Sequence, residues 1–313
     1  MPGVPPTRFT YLGPEGTFSE QALRRIPAAQ RAELIPARSI PDALDAVREG
    51  EADAALVPLE NSVEGAVGVT QDELANGEPL VIVREVVLPV SFVLATRPGR
   101  AIEEIATVVS HPHALAQCRG WLQAHLPDAV TVDVLSTSAA AMAVAKGEYD
   151  AAICAPLAVE QQRLTTLAKD VGDHPDAVTR FVLVSRPGPP PAPTGNDVTS
   201  IVVYIAHDRV GSLLQVLTEL AVRGINLTRI ESRPTGNTLG RYCFFLDCTG
   251  HVADARMGEA LMGLRRISAA VRFLGSYPRA SSAERVPPPP GTSDEDFADA
   301  AAWLSRLRSG GVE

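Results

Sequence analysis

The stretch AVTRFVLVS, residues 177–185, decides how this chain folds. Its β-branched and aromatic residues favour a strand. The near-continuous apolar run from Phe181 to Val184 is typical of a strand that is buried on both faces. Thr179 and Arg180 come just before this run, so two polar side chains are expected at the mouth of a buried strand.

The residues before this stretch predict an α/β fold with a largely parallel sheet. From Thr10 to about Leu167, short apolar runs alternate with helical patterns, which is the pattern of such a fold. The predicted strands cover residues 9–12, 33–36, 54–58, 81–87, 91–96, 107–110, 131–135 and 151–154.

Hydroxyl side chains recur where the predicted strands lead into helices. Thr17 and Glu20 have the spacing of a capping box, Ser110 is expected to cap a helix over 111–126, and Ser136–Ser138 to cap the alanine-rich helix that follows. In open α/β sheets, ligands bind outside the carboxyl ends of strands, where helix N-termini offer free N–H groups. These starts together predict a cleft for a small ligand that carries carboxylates.

A second domain follows the segment RPGPPPAPTGND, residues 186–197, which is rich in Pro and Gly and is predicted to be a linker. Beyond it the pattern predicts a β-α-β-β-α-β order, typical of a ferredoxin-like domain. The turns at 208–212 and at Asn226 are candidates for holding a small ligand. After residue 278 the composition predicts a disordered spacer, with a short amphipathic helix at 297–307.

Composition narrows the range of partners. The formal net charge of the 313 residues is −9, and no run of Lys and Arg interleaves with aromatic residues, so no nucleic-acid partner is expected. No apolar run approaches the roughly 20 residues that span a bilayer, and no signal-peptide pattern is present. We therefore expect a cytoplasmic protein that does not bind membranes.

The cysteines and histidines predict neither a metal site nor a cofactor. The four cysteines (Cys118, Cys154, Cys243 and Cys248) form no C-x-x-C pair, so buried free thiols are expected. The one histidine cluster, His111 and His113, has a spacing that does not place both rings on one helical face.

Four signatures, taken in order, resemble those of the prephenate dehydratases, in which a bilobal catalytic domain precedes an ACT regulatory domain. They are LGPEGTFS at 12–19, VPLENSVEG at 57–65, TRF at 179–181, and the pair GSLL at 211–214 with ESRP at 231–234. The resemblance runs from about Arg8 to Arg279.

The resemblance implies an α/β fold in which a two-lobed catalytic domain, like a type II periplasmic binding protein, is followed by a ferredoxin-like βαββαβ ACT domain. The implied boundaries are 8–187 for the catalytic domain, with lobe 1 at about 8–80 plus 178–187 and lobe 2 at about 88–172, then 198–279 for the ACT domain and 280–313 for a Pro-rich, disordered tail with a possible short helix.

The activity that the resemblance implies is decarboxylative dehydration of prephenate to phenylpyruvate in L-phenylalanine biosynthesis. The reaction requires a proton donor at the leaving hydroxyl and clamps on two carboxylates. Thr179 is the implied hydrogen-bond donor to the departing oxygen. Arg180 would hold a carboxylate or the loop, Phe181 would pack on the ring or in the core, and Glu64 is one possible source of the proton. The implied carboxylate contacts are Thr17, Ser19, Asn61, Ser62, Thr137 and Ser138.

Two positions depart from the family pattern. Many members have asparagine shortly before the TRF motif, whereas this chain reads Asp176-Ala177-Val178. In the ACT domain, Ser212-Leu213-Leu214 stands where Ala-Leu-Val is usual. The first departure removes an amide from the cleft strand, and the second changes a pocket expected to select an amino acid.

The ACT resemblance implies feedback binding of L-phenylalanine between domains of two subunits, and therefore a homodimer or homotetramer. The contacts it implies are Gly211, Ser212, Leu213, Leu214, Asn226, Glu231, Ser232, Arg233 and Pro234.

Two alternatives fit the same motifs. An arogenate dehydratase performs the same elimination on a substrate with an amino group in place of the keto oxygen. A non-catalytic, amino-acid-responsive binding or regulatory protein could combine the same two domains, although a pure binder has no need of the TRF motif at the cleft strand.

Overall fold

The computed structural model describes residues 7–205, 210–235, 242–280 and 289–312. The chain divides into two compact units, which are Met1–Glu78 with Val86–Arg186 and Pro79–Glu85 with Pro187–Glu313. Within the described residues, no helix combines the length and the apolar character needed to cross a membrane.

The strands are β1 (Arg8–Leu12), β2 (Glu33–Ala37), β3 (Ala54–Asn61), β4 (Gly65–Ala66), β5 (Val81–Pro89), β6 (Val93–Thr96), β7 (Thr107–Ser110), β8 (Val130–Asp133), β9 (Ala151–Cys154), β10 (Thr165–Ala168), β11 (Val178–Ser185), β12 (Asp197–Tyr204), β13 (Leu227–Pro234), β14 (Tyr242–Thr249) and β15 (Ala270–Pro278). The α-helices are α1 (Phe18–Leu23), α2 (Ile40–Arg48), α3 (Gly68–Asn76), α4 (Pro112–Gln117), α5 (Arg119–His125), α6 (Thr137–Lys146), α7 (Pro156–Gln162), α8 (Ser212–Ala221), α9 (Ala255–Ile267) and α10 (Asp294–Arg308).

The first unit is built on two sheets, with strand orders β2-β1-β3-β11-β5 and β10-β6-β9-β7-β8, and β4 pairs with β3. β1 runs parallel to β2 and β3, whereas β11 runs antiparallel to β3 and aligns Thr179 with Asn61. Phe181–Val184 are all buried. The predicted buried strand at 177–185 is therefore confirmed, and it brings the TRF motif beside the second signature.

Strand and helix predictions in this unit need three corrections. The helix expected over 111–126 is two helices, α4 and α5, because the backbone leaves helical geometry at Cys118 with φ −116°. Ser110 does not cap it. The Ser110 hydroxyl donates to the Ile153 carbonyl at 2.6 Å, and the ring of His111 is the cap. The short strands β4 and β10 were not predicted.

The helical segment 112–125 contributes three side chains to the core of the second sheet. Leu115, Cys118 and Leu122 are buried together with Phe92 and Ile153. All four cysteines are free and buried, as expected. Burial raises the pKa of Cys118 to about 12, so this thiol remains protonated.

The second unit has the predicted β-α-β-β-α-β order, with a sheet of order β13-β14-β12-β15. β12 is antiparallel to both of its neighbours. Ile201 and Leu246 pack against Val216, Leu220 and Leu264 of the helices. Together with the two-lobed first unit, this sheet confirms the predicted fold class.

The other face of this sheet carries buried polar side chains and a close backbone contact. The Ser200 hydroxyl lies 2.6 Å from both Asp247 Oδ1 and the Tyr277 hydroxyl oxygen. Gly275 has φ +140°, and a Cβ atom there would lie 2.1 Å from the Ile82 carbonyl oxygen. The first half of β5 is therefore packed directly on β15 within this unit.

The tail helix predicted at 297–307 is present and longer, as α10. Ser293 caps it through a reciprocal pair with Asp296. The Asp294 carboxylate accepts from the Arg256 backbone N–H at 3.2 Å, so the helix begins against α9. Residues 281–288 of the predicted spacer, and Asp208 and Arg209 of the predicted ligand turn, lie outside the described residues.

Replacing Gly275 with alanine is expected to destabilise the second unit by about 3 kcal/mol, because the new methyl group meets backbone atoms at a positive φ. The measurement is urea denaturation. Gly258→Ala is the control, since Gly258 lies in α9 with nothing within 4 Å of its Cβ position, and alanine there is expected to stabilise the helix by up to about 1 kcal/mol. Equal midpoints for the two variants would contradict the packing at Ile82.

Candidate active site

A cavity of about 710 Å³ lies in the first unit and is lined by residues from both of its sheets. This volume is in the range usual for small-molecule sites. The polar and charged residues that line it are Thr17, Ser19, Arg38, Asn61, Glu64, His111, His113, Gln117, Ser136, Thr137 and Thr179. Phe18 and Phe92 contribute an apolar wall, with their rings edge to face at 5.4 Å.

The Thr179 hydroxyl is held by an amide from the neighbouring strand. Asn61 Nδ2 donates to Thr179 Oγ1 at 2.9 Å. The same amide is fixed on its other side, since Asn61 Oδ1 accepts the backbone N–H groups of Val63 at 2.8 Å and Glu64 at 3.1 Å. Because the Thr179 oxygen is an acceptor here, its own O–H hydrogen can be given to a ligand.

Glu64 joins the two halves of the cleft. Its Oε1 accepts from Gln117 Nε2 at 2.6 Å, and its Oε2 lies 2.5 Å from His113 Nδ1. Glu64 follows β3, whereas Gln117 and His113 belong to α4. Both oxygens of this carboxylate are therefore engaged by side chains from the second sheet.

A buried carboxylate organises the loop at the first signature. Glu20 Oε2 accepts from the Gly16 backbone N–H at 2.6 Å, and Glu20 Oε1 accepts from Gln161 at 3.1 Å. Thr17 caps α1 as predicted, but Glu20 turns to Gly16 instead of closing the capping box. Burial raises the pKa of Glu20, but the hydrogen bonds from Gly16, Arg24 and Gln161 outweigh it, so the pKa lies below its ordinary value.

Gly16 is the point where this loop approaches the second sheet's helices. It has φ +80°, and a Cβ atom would lie 2.9 Å from Ser138 Oγ and 3.1 Å from Ala158 Cα. The Ser138 hydroxyl also donates to the Glu15 carbonyl. The glycine of the first signature is thus required both by its backbone conformation and by lack of space.

The predicted carboxylate contacts divide into two groups. Thr17, Ser19, Asn61 and Thr137 line the cavity. Ser138 is buried against Glu15, and Ser62 Oγ accepts the Val178 backbone N–H at 2.9 Å. These last two hydroxyls are engaged by backbone groups next to the cleft.

The other residues of the TRF motif have different surroundings from Thr179. Arg180 lies on the opposite face of β11, with its Nη1 4.0 Å from Glu60 Oε2. Phe181 is 2% exposed and is one of the largest fully buried side chains. Glu64, the candidate proton source, lies in the cavity.

Five polar residues that line the cavity are not among the contacts predicted from the sequence: Arg38, His111, His113, Gln117 and Ser136, the last of which is predicted only as a helix cap. Arg38 directly follows the parallel strand β2, so the rule that ligands bind at the carboxyl ends of strands would have found it. The two histidines were set aside because their spacing is not helical. His111 is the extended N-cap of α4 and His113 lies in its first turn, and their ring centroids are 5.0 Å apart.

The predicted phenylalanine contacts do not share one cavity within the second unit. A cavity of about 590 Å³ is lined by Asn226 along with residues such as Gly224 and Thr249. Gly211 has φ +86° and precedes α8, and Leu214 is 66% exposed. Glu231 Oε2 pairs with Arg229 at 2.6 Å. Gly211–Leu214 and Glu231–Pro234 lie outside the lining of that cavity.

A two-lobed α/β cleft lined by hydroxyls, an amide and one arginine, in a chain that continues into a ferredoxin-like domain, defines a small-molecule enzyme with an appended second domain. The prephenate dehydratase family profile matches residues 9–189, and the ACT domain profile matches residues 199–266. The chain belongs to the prephenate dehydratase family, whose members are lyases.

Relatives support this assignment over nearly the whole chain. A prephenate dehydratase from Amycolatopsis methanolica is 54% identical over 97% of this chain and 99% of its own length. The crystal structure of prephenate dehydratase from Arthrobacter aurescens in complex with L-Phe superposes with TM-score 0.91 at 50% identity, covering 97% of this chain and 100% of that one. A structure described as GqqA, a novel type of quorum quenching acylase, superposes with TM-score 0.79 at 29% identity, covering 89% of this chain and 100% of that one.

Replacing Glu20 with glutamine is expected to lower the free energy of unfolding by about 2 kcal/mol at pH 7, because hydrogen bonds to a buried carboxylate are lost or weakened. Since the folded pKa of Glu20 is lowered, its contribution is fully present above the ordinary value of 4.5 and is lost as the pH falls through the folded value. Denaturation of wild type and variant across pH 3–7 measures this difference. The exposed Glu51→Gln is the control, and a pH-independent difference would contradict the assignment.

Proposed function

We propose that the cleft catalyses the decarboxylative dehydration of prephenate to phenylpyruvate, a step of L-phenylalanine biosynthesis. The observation that carries the proposal is the Thr179 hydroxyl, held by Asn61 at 2.9 Å, in a cleft of a family member. In this reaction the bond from the ring to its carboxylate breaks, carbon dioxide leaves, the electron pair enters the ring, and the hydroxyl on the opposite ring carbon departs as water once protonated.

The cleft offers groups for the two carboxylates and the ring. Arg38 is exposed and is the only Arg or Lys among the described residues that line the cavity, and a guanidinium matches the fork of a carboxylate. Ser136 and Thr137 bring the first turn of α6 to the cavity, where free N–H groups and the helix dipole favour an anion. Thr17, Ser19 and Asn61 add polar contacts, and Phe18 and Phe92 can cover the apolar ring.

Thr179 is the proposed donor to the departing oxygen, because its hydrogen is not needed by Asn61. The other two residues of the TRF motif hold the strand that carries Thr179. Arg180 beside Glu60 holds the strand, and Phe181 anchors it in the core. Ser62 and Ser138 position the loops that carry Asn61 and Gly16. With alanine at position 177 instead of the family asparagine, Asn61 is the amide that contacts Thr179.

The contacts that Glu64 makes favour prephenate over arogenate as the substrate. Arogenate carries an amino group, for which a carboxylate with a free oxygen would be the natural partner. Glu64 already receives Gln117 on one oxygen and His113 on the other. A non-catalytic role is disfavoured because binding alone does not require an oriented hydroxyl at the cleft strand.

Acyl transfer, the activity named for the GqqA structure, is not favoured by this site. A threonine nucleophile requires a base that accepts its proton. The neighbour of Thr179 is an amide that donates a hydrogen bond to it, and an amide is not a base.

For the second domain, we propose feedback binding of L-phenylalanine at an interface between two subunits, and hence a homodimer or homotetramer. The proposed contacts remain Gly211–Leu214, Asn226 and Glu231–Pro234. A profile match to the ACT domain and the L-Phe complex of the Arthrobacter enzyme support this. We also retain the boundaries 8–187, 198–279 and 280–313, and a cytoplasmic location, as proposals.

Replacing Thr179 with valine is expected to lower kcat for prephenate by on the order of 10²-fold with little change in KM, because the hydroxyl acts on the leaving group and not on the bound ground state. The measurement is the rate of phenylpyruvate formation by the full chain. Wild type is expected to turn over prephenate much faster than arogenate.

Thr10→Val is the matched control, because Thr10 is buried in strand β1 of the same sheet and does not line the cleft. Near-normal turnover by Thr179→Val would remove this hydroxyl from the mechanism. A preference for arogenate would overturn the substrate assignment.

L-Phenylalanine is expected to inhibit the full chain, and Asn226→Ala is expected to raise the concentration for half-maximal inhibition at least about tenfold, since a lost hydrogen bond to an amino acid costs about 1.4 kcal/mol or more. Inhibition is measured against each variant's own uninhibited rate. Asn76→Ala, an exposed asparagine in α3, is the control. Unchanged inhibition in Asn226→Ala would place the effector elsewhere.

A further inference from the structure

The proposed reaction leaves one group unassigned, namely the acid that protonates the departing hydroxide. Hydroxide is a poor leaving group, so a positioned proton donor contributes substantially to the rate. Among the described residues lining the cavity, the groups able to exchange a proton with a ligand are the hydroxyls, of which Thr179 is the one held by Asn61, and the side chains of Glu64, His111 and His113. The inference below rests on the proposed function and concerns the same site.

Thr179 and Glu64 are poorly placed to be the acid. An alcohol is a very weak acid and can only pass on a proton that another group supplies. Glu64 accepts from Gln117 Nε2 at 2.6 Å and lies 2.5 Å from the ring nitrogen of His113. Both oxygens of this carboxylate are therefore already engaged by side chains of α4.

His111 is held in its neutral form. Its Nδ1 accepts the backbone N–H of His113 at 3.3 Å, which requires a lone pair on that nitrogen. Burial lowers the pKa of His111, and the nearby His113 lowers it further. A neutral imidazole is a far weaker acid than an imidazolium, so His111 is not the donor.

His113 has the arrangement that an acid needs. Its Nδ1 lies 2.5 Å from Glu64 Oε2, and this contact orients the ring. Nε2 is therefore the nitrogen that can donate to a ligand. The side chain is 68% exposed and lines the cavity, so substrate can reach it.

We propose that His113 is the general acid of the reaction, with Glu64 and Gln117 as its positioning residues. The imidazolium donates its Nε2 proton to the leaving oxygen while the C–O bond breaks, and water departs. The electron pair of the breaking carbon–carboxylate bond enters the ring, and carbon dioxide departs. The neutral imidazole then takes a proton from solvent, so atoms and charge balance over one turnover. Thr179 steadies the same oxygen by a hydrogen bond.

The charged and titratable groups around His113 come from four parts of the fold. Glu64 faces it from the segment after β3, and His111 lies beside it at the entry to α4. Arg38, after β2, lines the same cavity, and Asp133 of β8 acts on His111. Glu64 is in direct contact with the His113 ring.

The test compares the full-length wild type with His113→Gln and His113→Ala, measuring kcat and KM for prephenate from pH 5 to 9. Glutamine can still donate to Glu64 but has no acidic proton. We expect wild-type kcat to fall as pH rises, because the imidazolium is lost. We expect His113→Gln to lower kcat on the order of 10²-fold, to abolish that pH limb, and to change KM less than about threefold. Added imidazole should restore part of the activity of His113→Ala.

His125→Gln is the matched control, because His125 is exposed, contacts Trp121 and lies outside the cavity. Thermal unfolding shows whether each variant is folded. The proposal is overturned if His113→Gln retains wild-type kcat, or if its kcat is low but the pH limb persists, since that result describes a structural contact only. If wild type itself forms no phenylpyruvate from prephenate, the proposed function fails, and that outcome is distinct from a failure of His113 alone.

Discussion

The hydrogen bond from Asn61 to Thr179 is the constraint on which the site depends. It joins residues that are far apart in sequence through the antiparallel pairing of β3 with β11. The register of these strands is set by their buried side chains, because a shift of one residue would move every side chain to the other face. The hydroxyl therefore keeps its direction without any flexible loop, and the core around Phe181 stabilises the same alignment.

The second constraint is the close approach of the first signature to the helices of the second sheet. Gly16 has no room for a side chain beside Ser138 and Ala158, and Glu20 holds it through a buried carboxylate. Glu64 makes a comparable connection to α4. Of the residues that the sequence predicts as ligand contacts, some line the cleft and others hold the surrounding backbone in place. Ser138 and Ser62 belong to the scaffold because their hydroxyls are engaged by backbone groups.

The sequence features that predicted the structure correctly were local ones. The apolar run at 181–184 required a buried strand, and hydroxyls at Thr17 and Ser136 marked real helix starts. The prediction that Ser110 caps a helix was wrong. A buried serine hydroxyl can donate its hydrogen bond to a neighbouring strand, here to the Ile153 carbonyl, as well as cap a helix. β4 has only two residues, and β10 (TTLA) lacks the apolar run of β6 and β9, so neither leaves a strand pattern in the sequence. They pair with β3 and β6 respectively.

The sequence by itself determined the elements, the two-domain order and the family, because hydrophobic periodicity, caps and contiguous motifs are written along the chain. Only the tertiary structure decided which polar residues face the cleft. Arg38 lies far in sequence from His113 and Gln117 of α4, and they line one cavity because strand pairing and loop packing bring them together. The stretch AVTRFVLVS at residues 177–185 illustrates both cases. Its apolar half specifies a strand wherever it lies, whereas the role of Thr179 depends on Asn61 standing beside it.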